Sequence, residues 1–480
     1  MSDESFPPRV YITLLIHVIC GTSQQFALTA LNPTSIYIKQ LINDTYSRRH
    51  DGSEISAGQL DVIWATFGTA NFVGPILGAF ALQPLADRIG RRDTSMLIKN
   101  VFVIVGCVLA CVARYVYVYE LLIIGEFLCG AMVVFGKLLG VLLAECLPRR
   151  LGSVSSALIG MGIRVWVVSG VVAGLPQLGI NASNWNFIFL IPAVPGLIHL
   201  AARFFVPRSP KFLYITKEKE SDAEKSLLFY HGQNCDMENL KLEFENEKCL
   251  LDQADGQRNE FNFGQLIRNR YLRWSAILCI ATFCARPLAA PSIINVHSTD
   301  MMLALGMQLD QATLYSVLFG QLPSLACACV MPFYVERVGR RVVLLGAFGI
   351  TIVGQILLLI AGLIDHSTTT AALSLTLAAI VLIMSGASLG PVVVAIFLPA
   401  ELCPQRTRAT VTALGLAVEN ALSAVIMFTY PLLSKDYAIA PCLLGAVALW
   451  IFLLFALPET RGQTVKQVSQ IWQTDSSRQF

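Results

Sequence analysis

Long apolar runs alternate with short polar loops along almost the whole chain. Windows of membrane-spanning length place the first six runs at residues 9–31, 60–86, 95–114, 118–146, 153–180 and 184–206. The other six lie at residues 271–299, 312–335, 341–364, 371–399, 409–433 and 438–457. A run of about 20 apolar residues crosses a bilayer as an α-helix, because the backbone in lipid must satisfy its own hydrogen bonds. The pattern predicts an all-α membrane protein of about twelve transmembrane helices.

A longer polar stretch separates the two groups of six runs. It has mixed charge and good helix formers, which predicts short helices in a cytoplasmic linker. About 60 residues of this polarity bury little core, so a separately folded catalytic module is not expected. We therefore expect an N-terminal half at residues 1–206, a linker at 207–270, a C-terminal half at 271–457 and a cytoplasmic tail at 458–480.

Glycine and proline recur inside the apolar runs. Examples are Pro291 in the seventh run and Gly390 with Pro391 in the tenth. In a membrane bundle such residues mark kinks and close helix contacts rather than helix ends. We expect kinked helices at these positions.

Composition strengthens the membrane interpretation and excludes several other classes. The chain is 55% hydrophobic and 14% charged, with a mean hydropathy of +0.61, whereas a soluble domain is about a quarter charged. The net charge of +3 is spread over loops, which argues against a nucleic-acid partner. The thirteen cysteines lack the paired spacing of a zinc site, so no metal or cofactor is expected. No nucleophile–base set or phosphate loop indicates an enzyme.

The distribution of lysine and arginine predicts the orientation. Residues 87–93 and 336–341 contain three arginines each, whereas residues 179–185 contain no lysine or arginine. Because basic loops stay in the cytoplasm, both termini are expected there. The glycosylation sequons at Asn43 and Asn181 fall in loops assigned to the outside, which favours a glycoprotein of the plasma membrane.

Short charged motifs occur twice along the chain. The hexamer DRIGRR at residues 87–92 returns as ERVGRR at 336–341. AECLPRR at residues 144–150 returns as AELCPQR at 400–406, at nearly the same separation. Such a repeat indicates a duplicated six-helix unit, whose two copies enclose a site near the membrane midplane.

These motifs resemble the sugar porters of the major facilitator superfamily, and most closely the animal facilitative glucose transporters. The resemblance covers nearly the whole chain and rests on Asn32, Pro33, residues 87–92, Glu145, Pro148, residues 209–213, residues 336–341, Gly390, Pro391, residues 399–402, Arg408 and residues 458–462. It implies the major facilitator fold and a carrier that moves a hexose-like solute by alternating access.

The charged motifs are predicted to form the gate. Carboxylates at the cytoplasmic helix ends can pair with arginines, hold the halves together in the outward-open state and separate when the inside opens. The alternative is that the arginines only anchor helices at lipid headgroups. The predicted gating residues are Asp87, Arg88, Arg91, Arg92, Glu145, Glu336, Arg337, Arg340, Arg341, Glu401 and Arg408.

The positions where the resemblance implies sugar-binding side chains have diverged. The glutamine expected in the fifth run corresponds to Gly160, and a glutamine pair in the seventh corresponds to Ala285 and Arg286. In the tenth run, an acid and an indole correspond to Ser388 and Ile396. The fold inference stands, and the hexose inference is weakened.

Charged residues occur deep in the runs instead. Lys137, Arg164, Arg286 and Glu419 lie near the midplane, where an unpaired charge costs at least about 2.5–3.5 kcal/mol. One interpretation is internal salt bridges, in which Glu126 and Glu419 pair with two of the cations. The other is a surplus of cations that favours an anionic solute. The predicted binding residues are Asn71, Lys137, Arg164, Arg286, Asn295, Gln321, Ser324, Ser388, Glu419 and Asn420, with His297 at the rim.

Three hypotheses remain for the function. The first is a facilitative carrier of a small polar organic solute, because residues 9–31 contain no acid of the kind that proton-coupled relatives carry. The second is an organic-anion carrier that uses the deep arginine and lysine side chains. The third is a non-transporting sensor derived from a carrier. The expected partners are the solute and the lipid bilayer.

Overall fold

The structure is a computed structural model that describes residues 7–147, 149–232, 237–238, 241–242, 244–245, 270–364, 369–403, 405–433 and 437–459. Every regular element in that part is helical. Nine helices there are long and apolar enough to cross a membrane, and two shorter apolar helices lie at Leu158–Ala173 and Ala440–Ala456.

The N-terminal group of spans contains eight α-helices. They are α1 (Pro8–Cys20), α2 (Phe26–Arg49), α3 (Ala57–Ile89), α4 (Arg91–Val116), α5 (Glu120–Ala131), α6 (Val133–Cys146), α7 (Arg149–Ala173) and α8 (Ala193–Ala202), the last preceded by a 3₁₀ helix at Trp185–Leu190. In the linker, α9 (Glu220–His231) packs on α1, where the Arg9 guanidinium lies 5.0 Å from the Phe229 ring.

The C-terminal group contains nine α-helices. They are α10 (Arg270–Leu288), α11 (Pro291–Ala304), α12 (Leu309–Tyr315), α13 (Leu322–Val338), α14 (Arg340–Leu363), α15 (Thr369–Leu389), α16 (Pro391–Leu402), α17 (Gln405–Thr429) and α18 (Ala440–Ala456). A π-helical turn at Ser316–Gln321 joins α12 to α13.

Four spans are broken near their middle, and they are the first, fourth, seventh and tenth. The breaks separate α1 from α2, α5 from α6, α10 from α11, and α15 from α16. Pro291 and Pro391 each begin the helix that follows a break, where the missing N–H of proline costs no hydrogen bond. The breaks recur every third span in both groups, as a duplicated six-helix unit requires.

In each group, a side chain of the third span donates a hydrogen bond to the backbone at the break in the first span. The Lys99 ammonium on α4 donates to the Gly21 carbonyl at the end of α1. The Gln355 amide on α14 donates to the Leu288 carbonyl at the end of α10, at 2.7 Å. All atoms of both donor side chains are almost completely buried. Each tie satisfies a carbonyl that the interrupted helix leaves without an intrahelical partner.

The repeated hexamers form the same turn in both groups. Gly90 has φ 103° and ψ 145°, and Gly339 has φ 107° and ψ 150°. Only glycine adopts this region readily, and each glycine directly precedes the next span. The twelve-helix fold in two halves, predicted from the sequence, is confirmed.

Candidate functional site

The two ends of the bundle differ in chemistry. We call the end that carries the exposed side chains Asn43 and Asn181 the sequon face. The opposite end, with Arg91 and Arg340, is the arginine face.

A hydrogen-bonded cluster joins the two halves toward the sequon face. The Asn32 amide on α2 donates to the Ser298 hydroxyl on α11 at 2.8 Å and to the Ser316 hydroxyl at 2.9 Å. In return, the Thr299 backbone N–H donates to the Asn32 carbonyl oxygen at 2.9 Å. Asn32, Ser298, Thr299 and Ser316 are all buried, so these bonds form away from water.

An ion pair lies directly beside this cluster, since Asp300 follows Thr299 in the chain. The Lys39 ammonium is 2.8 Å from one Asp300 carboxylate oxygen, and the Ser35 hydroxyl donates to the other at 2.8 Å. Trp64 packs edge to face against His297, with ring centroids 6.1 Å apart. His297, expected at the rim of the site, is thus a buried part of the contact between the halves.

Hydroxyl and amide groups of the C-terminal half form the centre of the candidate site. The Gln321 amide donates to the Asn295 carbonyl oxygen at 3.0 Å, and the buried Gln321 carbonyl oxygen accepts no hydrogen bond from the described residues. The Ser324 and Ser388 hydroxyls lie 2.7 Å apart. From the other half, the Arg164 guanidinium on α7 donates to Ser324 at 3.2 Å. Five of the predicted binding residues therefore form two hydrogen-bonded groups, one of Asn295 with Gln321 and one of Ser324 with Ser388 and Arg164.

A second group of predicted residues forms an ion pair. Arg286 donates to the Glu419 carboxylate at 2.7 Å, and the Arg286 side chain remains 41% exposed. Arg286 lies close enough to Arg164 for their charges to interact. The Asn420 amide instead bonds to the Leu416 carbonyl of its own helix, at 2.7 Å.

One predicted residue lies away from the others. The Asn71 amide on α3 donates to the Glu126 carboxylate on α5 at 3.0 Å, and both side chains are buried within the N-terminal half. Among the described side chains, Glu126 bonds to an amide rather than to one of the deep cations. The Lys137 side chain lies outside the described residues.

Two ion pairs among the described residues of the arginine face each join residues of the N-terminal half. Arg91 pairs with Glu145, and Arg92 pairs with Asp93 at 2.7 Å. In the other half, the Arg340 backbone N–H donates to the Glu459 carboxylate at 3.1 Å.

The remaining predicted gating residues have simpler descriptions. Arg341 donates to the Leu454 carbonyl at 2.8 Å. Arg88 and Arg337 are exposed. The side chains of Asp87, Glu336, Glu401 and Arg408 lie outside the described residues.

Comparison with known proteins gives the family. The family model described as "Sugar (and other) transporter" matches residues 13–472. The chain belongs to this family. Facilitated glucose transporter member 7 of solute carrier family 2 from Mus musculus is 25% identical over 479 residues, which cover 98% of this chain and 91% of the relative. Member 9 from Homo sapiens is 26% identical over 458 residues, which cover 93% and 82%.

Solved structures agree with the fold. A partially occluded, inward-open form of the xylose transporter XylE from E. coli superposes with a TM-score of 0.75 at 15% identity, over 95% of this chain and all of the other. As a member of the sugar (and other) transporter family, the protein is a multi-pass membrane transporter and not an enzyme, as the sequence predicted.

The sequence did not single out several residues of the contact between halves. Asn32 was noted only for the family resemblance, and Lys39 and Asp300 were not predicted as site residues at all. A signal was present, because Asp300 is an acid directly after the apolar run at residues 271–299 and Lys39 follows Asn32 by two helical turns. Which opposite charges meet across two halves depends on their packing, which the sequence pattern does not supply.

Proposed function

We propose that the protein is a facilitative carrier that moves a small, uncharged, hexose-like solute by alternating access. The observation that carries the proposal is the group of hydrogen-bonding side chains at the interface of the two halves. Asn295, Gln321, Ser324 and Ser388 belong to one half, and Arg164 reaches them from the other. A polyol presents hydroxyl groups that both donate and accept, which suits this mixture of amides, hydroxyls and a guanidinium.

The relatives support this substrate class. Those named above are called facilitated glucose transporters, and the similar solved structures are of a xylose transporter. The coupling is proposed to be facilitative because the described part of α1 and α2 up to Leu31 carries no carboxylate.

The direction of opening follows from where the halves touch. Asn32 and Lys39 bond across the halves toward the sequon face, whereas Arg91 and Glu145 pair within one half at the arginine face. We propose that the arginine face, with both termini, is cytoplasmic and that the structure represents an inward-facing state. The same assignment puts Asn181 outside, where it can carry a glycan, in the plasma membrane.

The gating and domain assignments also remain proposals. The charged residues of the two repeats are proposed to control closure of the arginine face. Each half is proposed to move as a unit during that closure. The halves are residues 1–206 and 271–457, with the linker at 207–270 and a tail at 458–480.

Counterflow in proteoliposomes tests the proposal. Vesicles loaded with unlabelled D-glucose, D-fructose or D-xylose and diluted into the labelled sugar should show transient, saturable accumulation without a proton gradient. Gln321→Ala should raise the half-saturation concentration about fivefold, because a buried hydrogen bond contributes about 1 kcal/mol. Gln40→Ala, an exposed glutamine on α2, is the matched control. Absence of saturable flux for every sugar would reject the hexose assignment.

A second function is favoured by one specific observation. Glu419 compensates Arg286, but the described polar partner of Arg164 is a hydroxyl group. A half-buried arginine whose described partner is a hydroxyl group suits an organic anion such as a monocarboxylate. In the same vesicles, Arg164→Gln should then abolish anion counterflow. This second function would be rejected if the unmodified protein shows no anion counterflow and Arg164→Gln lowers hexose flux instead.

A further inference from the structure

Three arginines surround one buried carboxylate where the sixth span meets the linker, at the arginine face. Asp93 accepts hydrogen bonds from Arg92 at 2.7 Å, from Arg203 at 2.7 Å and from Arg208 at 2.9 Å. The Asp93 side chain is only 2% exposed. One carboxylate cannot neutralise three guanidinium groups, so among the described side chains this cluster has a surplus of positive charge.

The two outer arginines have hydrogen-bond donors for which the described residues supply no acceptor. Arg203 gives Asp93 only its Nε, and Arg208 gives its Nε and one terminal nitrogen. Their side chains are 26% and 37% exposed, compared with 14% for Arg92. A guanidinium offers five N–H groups in a planar fork that matches the oxygens of a phosphate.

Two phenylalanines stand directly beside these arginines. Phe204 is 81% exposed and Phe205 is 80% exposed, at the end of the span that closes with α8. Aromatic side chains at the end of a span lie at the boundary between headgroups and acyl chains. The cation cluster and an apolar surface are therefore adjacent at the depth where a phospholipid has its phosphate above its acyl chains.

We propose that Arg203, Arg208 and the two phenylalanines bind one anionic phospholipid. The guanidinium groups hold the phosphate, and the phenyl rings contact the first methylene groups of the acyl chains. The bound phosphate neutralises part of the surplus charge around Asp93. The site lies on the face that we propose to be cytoplasmic, the leaflet in which anionic lipids concentrate.

Binding can be measured with the full chain in phosphatidylcholine nanodiscs that contain increasing fractions of phosphatidylglycerol. Native mass spectrometry of the released protein counts the lipid that stays bound. We expect phosphatidylglycerol to be retained over phosphatidylcholine. Each arginine near a membrane surface contributes about fivefold to affinity, so Arg203→Gln should weaken retention about fivefold and Arg203→Gln with Arg208→Gln about 25-fold. Arg48→Gln, an arginine at the sequon face that stacks on Tyr117, should leave retention unchanged.

Two further arms separate a lipid from a phosphate ion and guard against misfolding. Phe204→Ala with Phe205→Ala should weaken lipid retention, and inorganic phosphate at millimolar concentration should not displace the lipid. Asp93→Asn keeps every arginine and removes the competing carboxylate, so retention should rise. Displacement by inorganic phosphate alone would reassign the site to free phosphate. Equal retention of both lipids, or a fall in retention for Asp93→Asn in folded protein, would overturn the proposal.

Discussion

At the scale of single residues, the contact between the halves includes a partly buried ion pair. Lys39 and Asp300 come from different halves and lie at 2.8 Å, with about a quarter of each side chain exposed. Partial burial makes this pair stronger than a surface salt bridge, because less water screens it. Ser35 adds a charge-assisted hydrogen bond to the same carboxylate. Opening of the sequon face must break both interactions.

Asp300→Asn should shift the protein toward the state that is open at the sequon face. Loss of a hydrogen bond to a charged group costs about 1.5–3 kcal/mol, so the closed population should fall about tenfold or more relative to the open one. A cysteine introduced at Asn295 reports the change through its rate of reaction with a membrane-impermeant maleimide added at the sequon face. Asp51→Asn, an exposed acid in the turn that follows α2, is the control. Equal labelling rates for both variants would show that the ion pair does not hold this face closed.

At the scale of elements, the turns before α4 and α14 explain the sequence repeat. Gly90 and Gly339 both adopt positive φ with extended ψ, a region that side chains with a Cβ atom rarely enter. The flanking arginines in each hexamer are then carried into equivalent positions at the arginine face. Both hexamers contain glycine at this position because the backbone conformation of the turn requires it, independently of what the arginines bind.

Gly339→Ala should destabilise the folded protein by about 1–3 kcal/mol, because the alanine must adopt the strained turn or distort it. A Cβ atom there would also lie 2.8 Å from the Glu459 carboxylate. Gly346→Ala is the matched control, because that glycine lies inside α14 with open space around it, and alanine favours a helix. Thermal unfolding in detergent compares the two, with a lower melting temperature expected only for Gly339→Ala. Unchanged melting of Gly339→Ala would contradict a strained turn.

The sequence predicted the elements better than their ends and their contacts. The apolar run at residues 9–31 corresponds to a broken span whose second helix, α2, continues through polar residues to Arg49. Hydropathy follows the lipid boundary, whereas a helix continues for as long as its backbone stays paired. Asn71 shows the same limit for the site. The sequence shows that Asn71 is polar. Its hydrogen bond to Glu126, however, depends on whether the side of α3 that carries Asn71 packs against α5.

At the scale of the whole molecule, orientation is the property most open to direct measurement. Asn181 lies in a loop where its side-chain oxygen accepts a hydrogen bond from the Ser183 backbone N–H at 2.8 Å, and Asn43 is exposed near the end of α2. If the sequon face is extracellular, one or both asparagines should carry a glycan when the protein is made in animal cells. Deglycosylation should then increase its electrophoretic mobility, and Asn43→Gln with Asn181→Gln should remove that change. A glycan that persists in the double variant would require another acceptor, and a glycan on an arginine-face residue would reverse the orientation.

The ties at the helix breaks determine how such a molecule can move. A broken helix is usually regarded as a hinge, since its interrupted hydrogen bonds leave the chain free to bend. Here Lys99 and Gln355 hold the interrupted carbonyl groups from a neighbouring span, so the breaks of the first and seventh spans are braced corners. Bending at either corner would strand a buried ammonium or amide in a medium without water. The first and third spans of each half should therefore tilt together, with the deformation passed to the surfaces where one half slides against the other.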